Sequence, residues 1–244
     1  MDADGLFNER VAATYDERSA DMATPEVLNP TVDVLVDLAN GGRALEFAIG
    51  TGRVALPLSE RGIDVAGIEL SSAMVRQLRT KPGGETLDVV IGDMTTAQAG
   101  RDFSLVYLVY NTIHNLVTQD LQVACFQNAS AHLRPGGHFL IEVLVPPLQR
   151  LPEGERFQPF DITDDHWGID EFDVVTQGAV SHHVRDNDGR FERFSLPYRY
   201  VWPSELDLMA RLAGMSLAHR WADWDRSPFT ADSQKHVSVW RKDG

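Results

Sequence analysis

The sequence predicts an α/β fold: a doubly wound, mostly parallel sheet carrying an inserted antiparallel β element. Three observations carry this. Five short apolar runs alternate with amphipathic segments between residues 43 and 145, the rhythm of βαβ units. Two glycines follow the first run, in Gly50-Thr51-Gly52, where a strand must turn sharply into a helix. After Pro146 the period changes to two, and Phe194, Leu196, Tyr198, Tyr200 and Trp202 occupy alternate positions.

Taken in order, residues 1–40 form an N-terminal helical cap. Phe7, Val11 and Tyr15, then Val27, Val32, Leu35 and Val36, recur at helical spacing from residue 5 to 39, with breaks expected near Pro25 and Pro30. Residues 44–49 are the first strand, and 51–61 a helix closed by Gly62 with Pro57 near its first turn. Residues 64–70 are the second strand, and Ser71 caps a helix running to about Arg79. The third and fourth strands are 87–91 and 103–110. Thr118 caps a helix with Leu121, Ala124, Cys125, Ala129 and Leu133 on one face, stopped by Pro135-Gly136-Gly137, and 138–145 is the fifth strand. The insertion covers 146–202, with antiparallel strands from about residue 156 and a hairpin turn at Asp188-Gly189. A helix (204–213) and two strands (215–221 and 236–241) complete a single domain, 1–244.

The 244 residues are 43% hydrophobic and 24% charged, enough for one sizeable core. A net charge of −14 repels phosphate backbones and anionic lipid, so neither nucleic acid nor membrane is an expected partner. The single cysteine, Cys125, excludes an internal disulfide and any CxxC motif, and fits a reducing compartment. The acidic first ten residues lack the pattern of a secretory leader, and no run reaches the ~18 apolar residues of a membrane span, so a cytoplasmic location is expected. Nothing in the pattern speaks to oligomeric state.

Ligands of open α/β sheets bind beyond the carboxyl ends of the strands. There the chain places Glu46-Phe47-Ala48-Ile49-Gly50-Thr51-Gly52-Arg53, then Glu69-Leu70 nineteen residues after Gly50, then Gly92-Asp93-Met94. A carboxylate at Glu69 can accept from both hydroxyls of a ribose. Asp93 can accept from the exocyclic amine of adenine, with the Met94 thioether on the ring. Residues 50–55 also satisfy the G-x-G-x-x-G/A dinucleotide fingerprint, and Glu69 has the spacing used for NAD. Two acids favour a cationic ligand without pyrophosphate: Glu46, four residues before Gly50, and Asp93. The plain alternatives are a ligand-free turn at Gly50 and Gly52, and Glu69 as a helix cap.

These pieces, with the strand 103–110 and Leu133-Arg134-Pro135-Gly136-Gly137, resemble the class I (Rossmann-like) S-adenosylmethionine-dependent methyltransferases of small-molecule type over residues 44–145. The resemblance implies a seven-stranded sheet with its last strand antiparallel. It implies S-adenosylmethionine as cofactor, held by Glu46, Ala48, Gly50, Gly52, Arg53, Glu69, Leu70, Asp93, Met94, Tyr110 and Tyr15. The implied reaction moves a methyl group to nitrogen or oxygen of a small-molecule acceptor, a natural product or amino sugar. Ala48 stands where the family usually has glycine; its methyl is small enough to be tolerated with a local backbone shift.

Residues just past the fourth strand, Tyr110, Asn111 and His114, are the expected transfer site. His114 is the candidate general base, because an ordinary imidazole titrates near neutrality; a packed histidine is its plain alternative. His182 and His183 are adjacent in a strand, point to opposite faces and cannot pair on a metal, and no Asp/His spacing suggests a catalytic metal. The aromatic stripe from Phe194 to Trp202 either roofs the acceptor pocket or packs on the main sheet. Two other readings stand beside this one. An NAD-dependent oxidoreductase would need a Tyr-x-x-x-Lys or comparable acid, which is absent. A non-catalytic S-adenosylmethionine-binding regulator would bind without turnover.

Overall fold

A computed structural model describes residues 7–187 and 189–244. Asp188, half of the expected hairpin turn, and residues 5 and 6, where the first helix was expected to begin, lie outside the described residues. Helices α1 (Glu9–Arg18) and α2 (Pro25–Ala39) precede β1 (Ala44–Phe47), α3 (Ala55–Glu60), β2 (Val65–Glu69), α4 (Ser72–Arg79), β3 (Asp88–Ile91), β4 (Phe103–Leu108), α5 (Gln119–His132) and β5 (Leu133–Leu144). The insertion supplies β6 (Phe157–Ile162), β7 (His166–Phe172), β8 (Gly178–Asn187) and β9 (Arg190–Arg199); α6 (Pro203–Leu212), β10 (Met215–Trp221) and β11 (Lys235–Lys242) follow.

The main sheet has seven strands in the order β10-β11-β5-β4-β1-β2-β3, and the insertion is a separate four-stranded sheet, β6-β7-β8-β9. The first five strands pair in parallel, and β11 runs antiparallel to both β5 and β10. Every residue of β1, β2 and β4 is buried, as expected for parallel strands covered on both faces. Alternate side chains divide between two cores. Val106 and Leu108 join Phe126, Phe139 and Trp240 on one face, while Leu105 and Tyr107 join Leu35, Leu58 and Val239 on the other. No helix among the described residues is long and apolar enough to cross a membrane.

Two caps form as the sequence predicts: Ser71 Oγ accepts from Met74 N at 3.2 Å, and Thr118 Oγ1 from Leu121 N at 3.2 Å. Four boundaries differ, each for a local reason. Helix α3 starts at Ala55 and not Thr51, because Gly50 and Gly52 both hold positive φ (+59° and +80°) and cannot sit in a right-handed helix. Pro25 opens α2, but Pro30 lies inside it without ending it; Val32, Val34, Leu35 and Ala39 on the buried face outweigh the lost backbone bond. Strand β4 ends at Leu108, since Tyr110 and Asn111 turn left-handed (φ 59° and 58°). Pro135-Gly136-Gly137 lies within β5 as a bulge: Leu133 already pairs with Phe103, and the next pair is Leu105 with His138.

The root of the inserted sheet is fixed to α5 and α6 by a buried cluster. Arg199 donates to Gln122 Oε1 at 2.5 Å and pairs with Glu205 at 2.7 Å, while Gln177 Nε2 also donates to Glu205 at 2.7 Å. This anchorage lays β9 against the 3-10 turn Thr112–Asn115, which directly follows β4.

Candidate active site

The turn after β1 is built from three left-handed residues, each used differently. Ala48 keeps φ at +53° despite its Cβ, so the backbone does not shift where a glycine is missing; this conformation costs an L-residue roughly 1–2 kcal/mol. A Cβ on Gly52 would stand 2.4 Å from Leu78 Cδ1 and 3.1 Å from Leu56 Cγ, so this glycine lets α3 and α4 pack. A Cβ on Gly50 would meet nothing closer than Met74 Cε at 3.5 Å, leaving that side of the backbone open.

Glu69, at the end of β2, fastens this turn. Its Oε2 accepts from Gly50 N and its Oε1 from Ser71 N, both at 2.8 Å. Burial raises its pKa, and these amides pull it back. The capping bond to Ser71 is therefore real. Each oxygen still has a further lone pair, so the carboxylate can also accept from a ligand.

Glu46 is 4% exposed and accepts from Tyr107 Oη at 3.0 Å. Burial pushes its pKa up to about 8, against the pull of Tyr107 and Arg53. The Arg53 guanidinium lies 5.1 Å from the Tyr110 ring centroid and donates to Met22 O at 3.2 Å. Tyr15 of α1 closes the same space; its phenol pKa is raised by burial and opposed by Arg53. Tyr15, Glu46, Ala48, Gly50, Arg53 and Tyr110 thus surround one narrow cavity of about 50 Å³. A more open cavity of about 300 Å³, lined by Asp16, Gly52 and Lys81, shares Arg53 as its wall.

A buried acid beside a guanidinium is complementary to an α-amino acid's ammonium and carboxylate. Farther out, Leu70 and Ile91 are 52% and 56% exposed past the ends of β2 and β3, apolar surface suited to a flat base. The donor set therefore fits S-adenosylmethionine. The cavity is well below the ~300–1,000 Å³ of ordinary ligand pockets, so α1 must draw back for entry. Asp93 is exposed, and its Oδ1 accepts from Thr95 N and Oγ1, both at 2.8 Å. Met94 is 9% exposed and belongs to the core cluster that includes Ile68 and Val106.

Beyond β4 the consecutive left-handed residues Tyr110 and Asn111 are held by Glu142 of β5. Its Oε2 accepts from Tyr110 N at 3.0 Å, its backbone carbonyl from Asn111 N at 3.2 Å, and its Oε1 from Trp224 Nε1 at 3.2 Å. Sequence reasoning missed Glu142, although it is the one acid in the apolar run Phe139-Leu140-Ile141-Glu142-Val143. Asn111 spends its side-chain oxygen on Leu144 N at 2.7 Å. His114 stacks on Tyr198 of β9 with centroids 5.7 Å apart, and its Nε2 is buried without a partner. Burial lowers its pKa to about 4, so it does not titrate near neutrality as expected. It is a neutral imidazole and a weak base at physiological pH.

His182 and His183 do face opposite ways: His182 Nδ1 meets Ser195 Oγ at 2.9 Å, and His183 Nδ1 meets His166 Nε2 at 2.9 Å. No group of three or more metal-ligating side chains occurs among the described residues. The aromatic stripe does both things expected of it. Tyr200 is buried and Tyr198 packs on His114, while Phe194 stays half-buried, stacked on His183 at 4.6 Å.

Comparison with known proteins agrees with this geometry. Residues 44–137 match the family model described as a methyltransferase domain. The solved CcbJ methyltransferase from Streptomyces caelestis superposes with a TM-score of 0.84 at 34% identity, covering 98% of each chain. The cypemycin N-terminal methyltransferase of Streptomyces sp is 24% identical over 82% of this chain and 83% of its own length. The dTDP-3-amino-3,4,6-trideoxy-alpha-D-glucopyranose N,N-dimethyltransferase of Streptomyces venezuelae is 33% identical over 59% of this chain and 56% of its own. The dinucleotide reading of Gly50 to Ala55 is thereby set aside, and the chain belongs to the class I S-adenosylmethionine-dependent methyltransferases of small-molecule type.

Proposed function

We propose that this enzyme methylates an amino nitrogen of a small natural product or amino sugar. The observation that carries the choice of nitrogen is His114, whose imidazole is held to about 4 by burial. A hydroxyl acceptor needs a strong base in the transition state, whereas an amine of near-neutral pKa attacks as its free base. Acids along the crevice, Glu46, Glu69 and Asp170, favour a cationic acceptor before it loses its proton. The named activities of two relatives, an N-terminal methyltransferase and an N,N-dimethyltransferase, support the same atom type.

S-adenosylmethionine supplies a methyl group already activated on a sulfonium. The protein's task is alignment, and proximity and orientation can lower the barrier by ~7–11 kcal/mol. In this reading Glu46 takes the ammonium of the amino-acid end, Arg53 its carboxylate, and the Gly50 backbone lies alongside. Glu69 holds the ribose, with Leu70, Asp93 and Met94 at the adenine. Tyr15 and the 1–40 cap close over the site. Tyr110, Asn111 and His114 line the transfer point, where His114 orients the amine through its unpartnered Nε2, and residues 146–202 form the far wall of the acceptor pocket.

The test pairs 3-amino-3-deoxyglucose with glucose under S-adenosylmethionine. S-adenosylhomocysteine formed only with the amine, and a methyl located on nitrogen by mass spectrometry, is the expected result. A methyl found on oxygen overturns the nitrogen assignment.

A further inference from the structure

The inner face of the inserted sheet carries a row of polar side chains in hydrogen-bonding sequence. Asp161 Oδ2 lies 2.6 Å from His166 Nδ1, His166 Nε2 lies 2.9 Å from His183 Nδ1, and His183 Nε2 lies 3.1 Å from Ser181 Oγ. Ser181 and Tyr198 both hydrogen-bond Asp170, and the Tyr198 ring stacks on His114. The row therefore runs from the expected transfer point, through three strands, to a carboxylate whose side chain is 43% exposed.

Its direction follows from valence. An ionised carboxylate only accepts, so His166 must carry its proton on Nδ1. With His166 neutral, its Nε2 accepts, and His183 must donate from Nδ1. His183 Nε2 then accepts from the Ser181 hydroxyl. Every donor thus points toward Asp161. At the other end Asp170 Oδ1 is buried with no partner, an acceptor left open.

We propose that this row is the exit path for the proton released when an acceptor amine is methylated. In transfer, the nitrogen lone pair forms the N–C bond as the C–S bond breaks; the sulfide leaves neutral and the positive charge appears on nitrogen. The N–H proton passes to Asp170. Asp170 gives it to Ser181 Oγ as Ser181 gives its own to His183 Nε2. His183 gives its Nδ1 proton to His166 Nε2, and His166 gives its Nδ1 proton to Asp161, which loses one to solvent. One proton leaves, and each side chain returns to its starting form once its protons reorient.

The surroundings suit this role. Phe194 stacks on His183 at 4.6 Å and Phe160 meets it edge-on at 5.4 Å, keeping water from the middle of the row. Phe160 can lie there because residue 168 is glycine; a Cβ would stand 2.3 Å from its Cζ. The groups facing His183 are Arg185, His182, His166 and Asp161, and burial with the neighbouring cations holds its pKa down to about 4, so it passes a proton on and does not keep it. Burial raises the pKa of Asp170, against Ser181, Tyr198 and His182, which lets it accept one in passing.

This inference rests on the amine reading above, and the test separates the two. Nitrogen-15 NMR on the S-adenosylhomocysteine complex near neutral pH reads the two tautomers without any acceptor. Both His166 and His183 are expected with the proton on Nδ1; an Nε2 proton on either breaks the row and overturns the relay. In turnover with 3-amino-3-deoxyglucose, Asp161→Asn still accepts from His166 but cannot carry a proton away. It should lower kcat at least about tenfold, leave the KM for S-adenosylmethionine unchanged, and recover with added imidazole buffer. Wild-type kcat in that variant overturns the relay as well. A wild-type enzyme silent on the amine counts against the amine acceptor, and the tautomers then decide the relay alone.

Discussion

The two walls of the crevice place their polar groups by opposite means. On the main-sheet side, Ala48, Gly50, Gly52, Tyr110 and Asn111 all take left-handed backbone, and Glu69 and Glu142 hold the bent segments by accepting from their amides. On the inserted side, Asp161, His166, His183 and Ser181 come from regular antiparallel strands, brought together by register alone. Bending the backbone fixes a group within a few residues but costs local strain. Register costs no strain, but it makes each contact depend on the pairing of the whole sheet.

The sharpest way to separate the walls is Glu46→Gln. Cofactor affinity by calorimetry should fall roughly tenfold to a hundredfold, the ~1.5–3 kcal/mol of a hydrogen bond to a charged group. The same change should stabilise the ligand-free protein at alkaline pH. The folded pKa is raised from 4.5 to about 8, so the native carboxyl holds its proton where the unfolded one has lost it. Stability therefore falls as pH rises from about 4.5 toward about 8. Glutamine removes that loss, and the Tm difference between variant and parent should be largest at about pH 8 and vanish below about pH 4. A parent whose Tm does not respond to this substitution would show that Glu46 is not a strained buried acid.

Two glycine substitutions compare the walls directly. Gly52→Ala should cost roughly 1–3 kcal/mol by urea unfolding, because its Cβ meets Leu78 and Leu56 within a packed helix pair and its φ is positive. Gly168→Ala should cost less than about 1 kcal/mol, since its Cβ meets only the end of the Phe160 ring, which is 47% exposed and free to swing out. Equal losses would mean that the inserted wall is as tightly packed as the main one. The smallest effect is expected of Ala48→Gly. Relief of the left-handed strain, ~1–2 kcal/mol, is partly offset by the ~0.5–1 kcal/mol entropic cost of glycine, leaving a gain of at most about 1 kcal/mol in chemical denaturation.

The same contrast explains what the sequence shows. Glu46, Gly50, Glu69 and Asp93 sit at the ends of successive strands, so linear spacing alone finds them. The fold class is legible for the same reason, as are the Ser71 and Thr118 caps, since each rests on residues close together in the chain. The environment of His114 is not legible: its low pKa comes from burial against Tyr198, 84 residues away. Glu142 and Asp170 are single acids in strands, and their partners lie on neighbouring strands. The row from Asp161 to Ser181 exists only once β6, β7 and β8 are in register.

Helix α1 is fastened to both walls at once. Asp16 accepts from Thr51 Oγ1 at 2.6 Å and pairs with Lys81 at 2.7 Å, Glu9 pairs with Arg76, and Arg10 reaches Glu192 on the inserted sheet at 2.7 Å. These ties are mostly solvent-exposed ion pairs, each of little thermodynamic weight and readily screened by salt. The helix that covers Tyr15 and Glu46 is thus held by contacts whose strength the medium sets. Ionic strength becomes a control on residence time. Stopped-flow release of S-adenosylhomocysteine should quicken as salt rises from ~0.01 M to ~0.5 M, while the pre-formed turn at Gly50 and Glu69 keeps its shape.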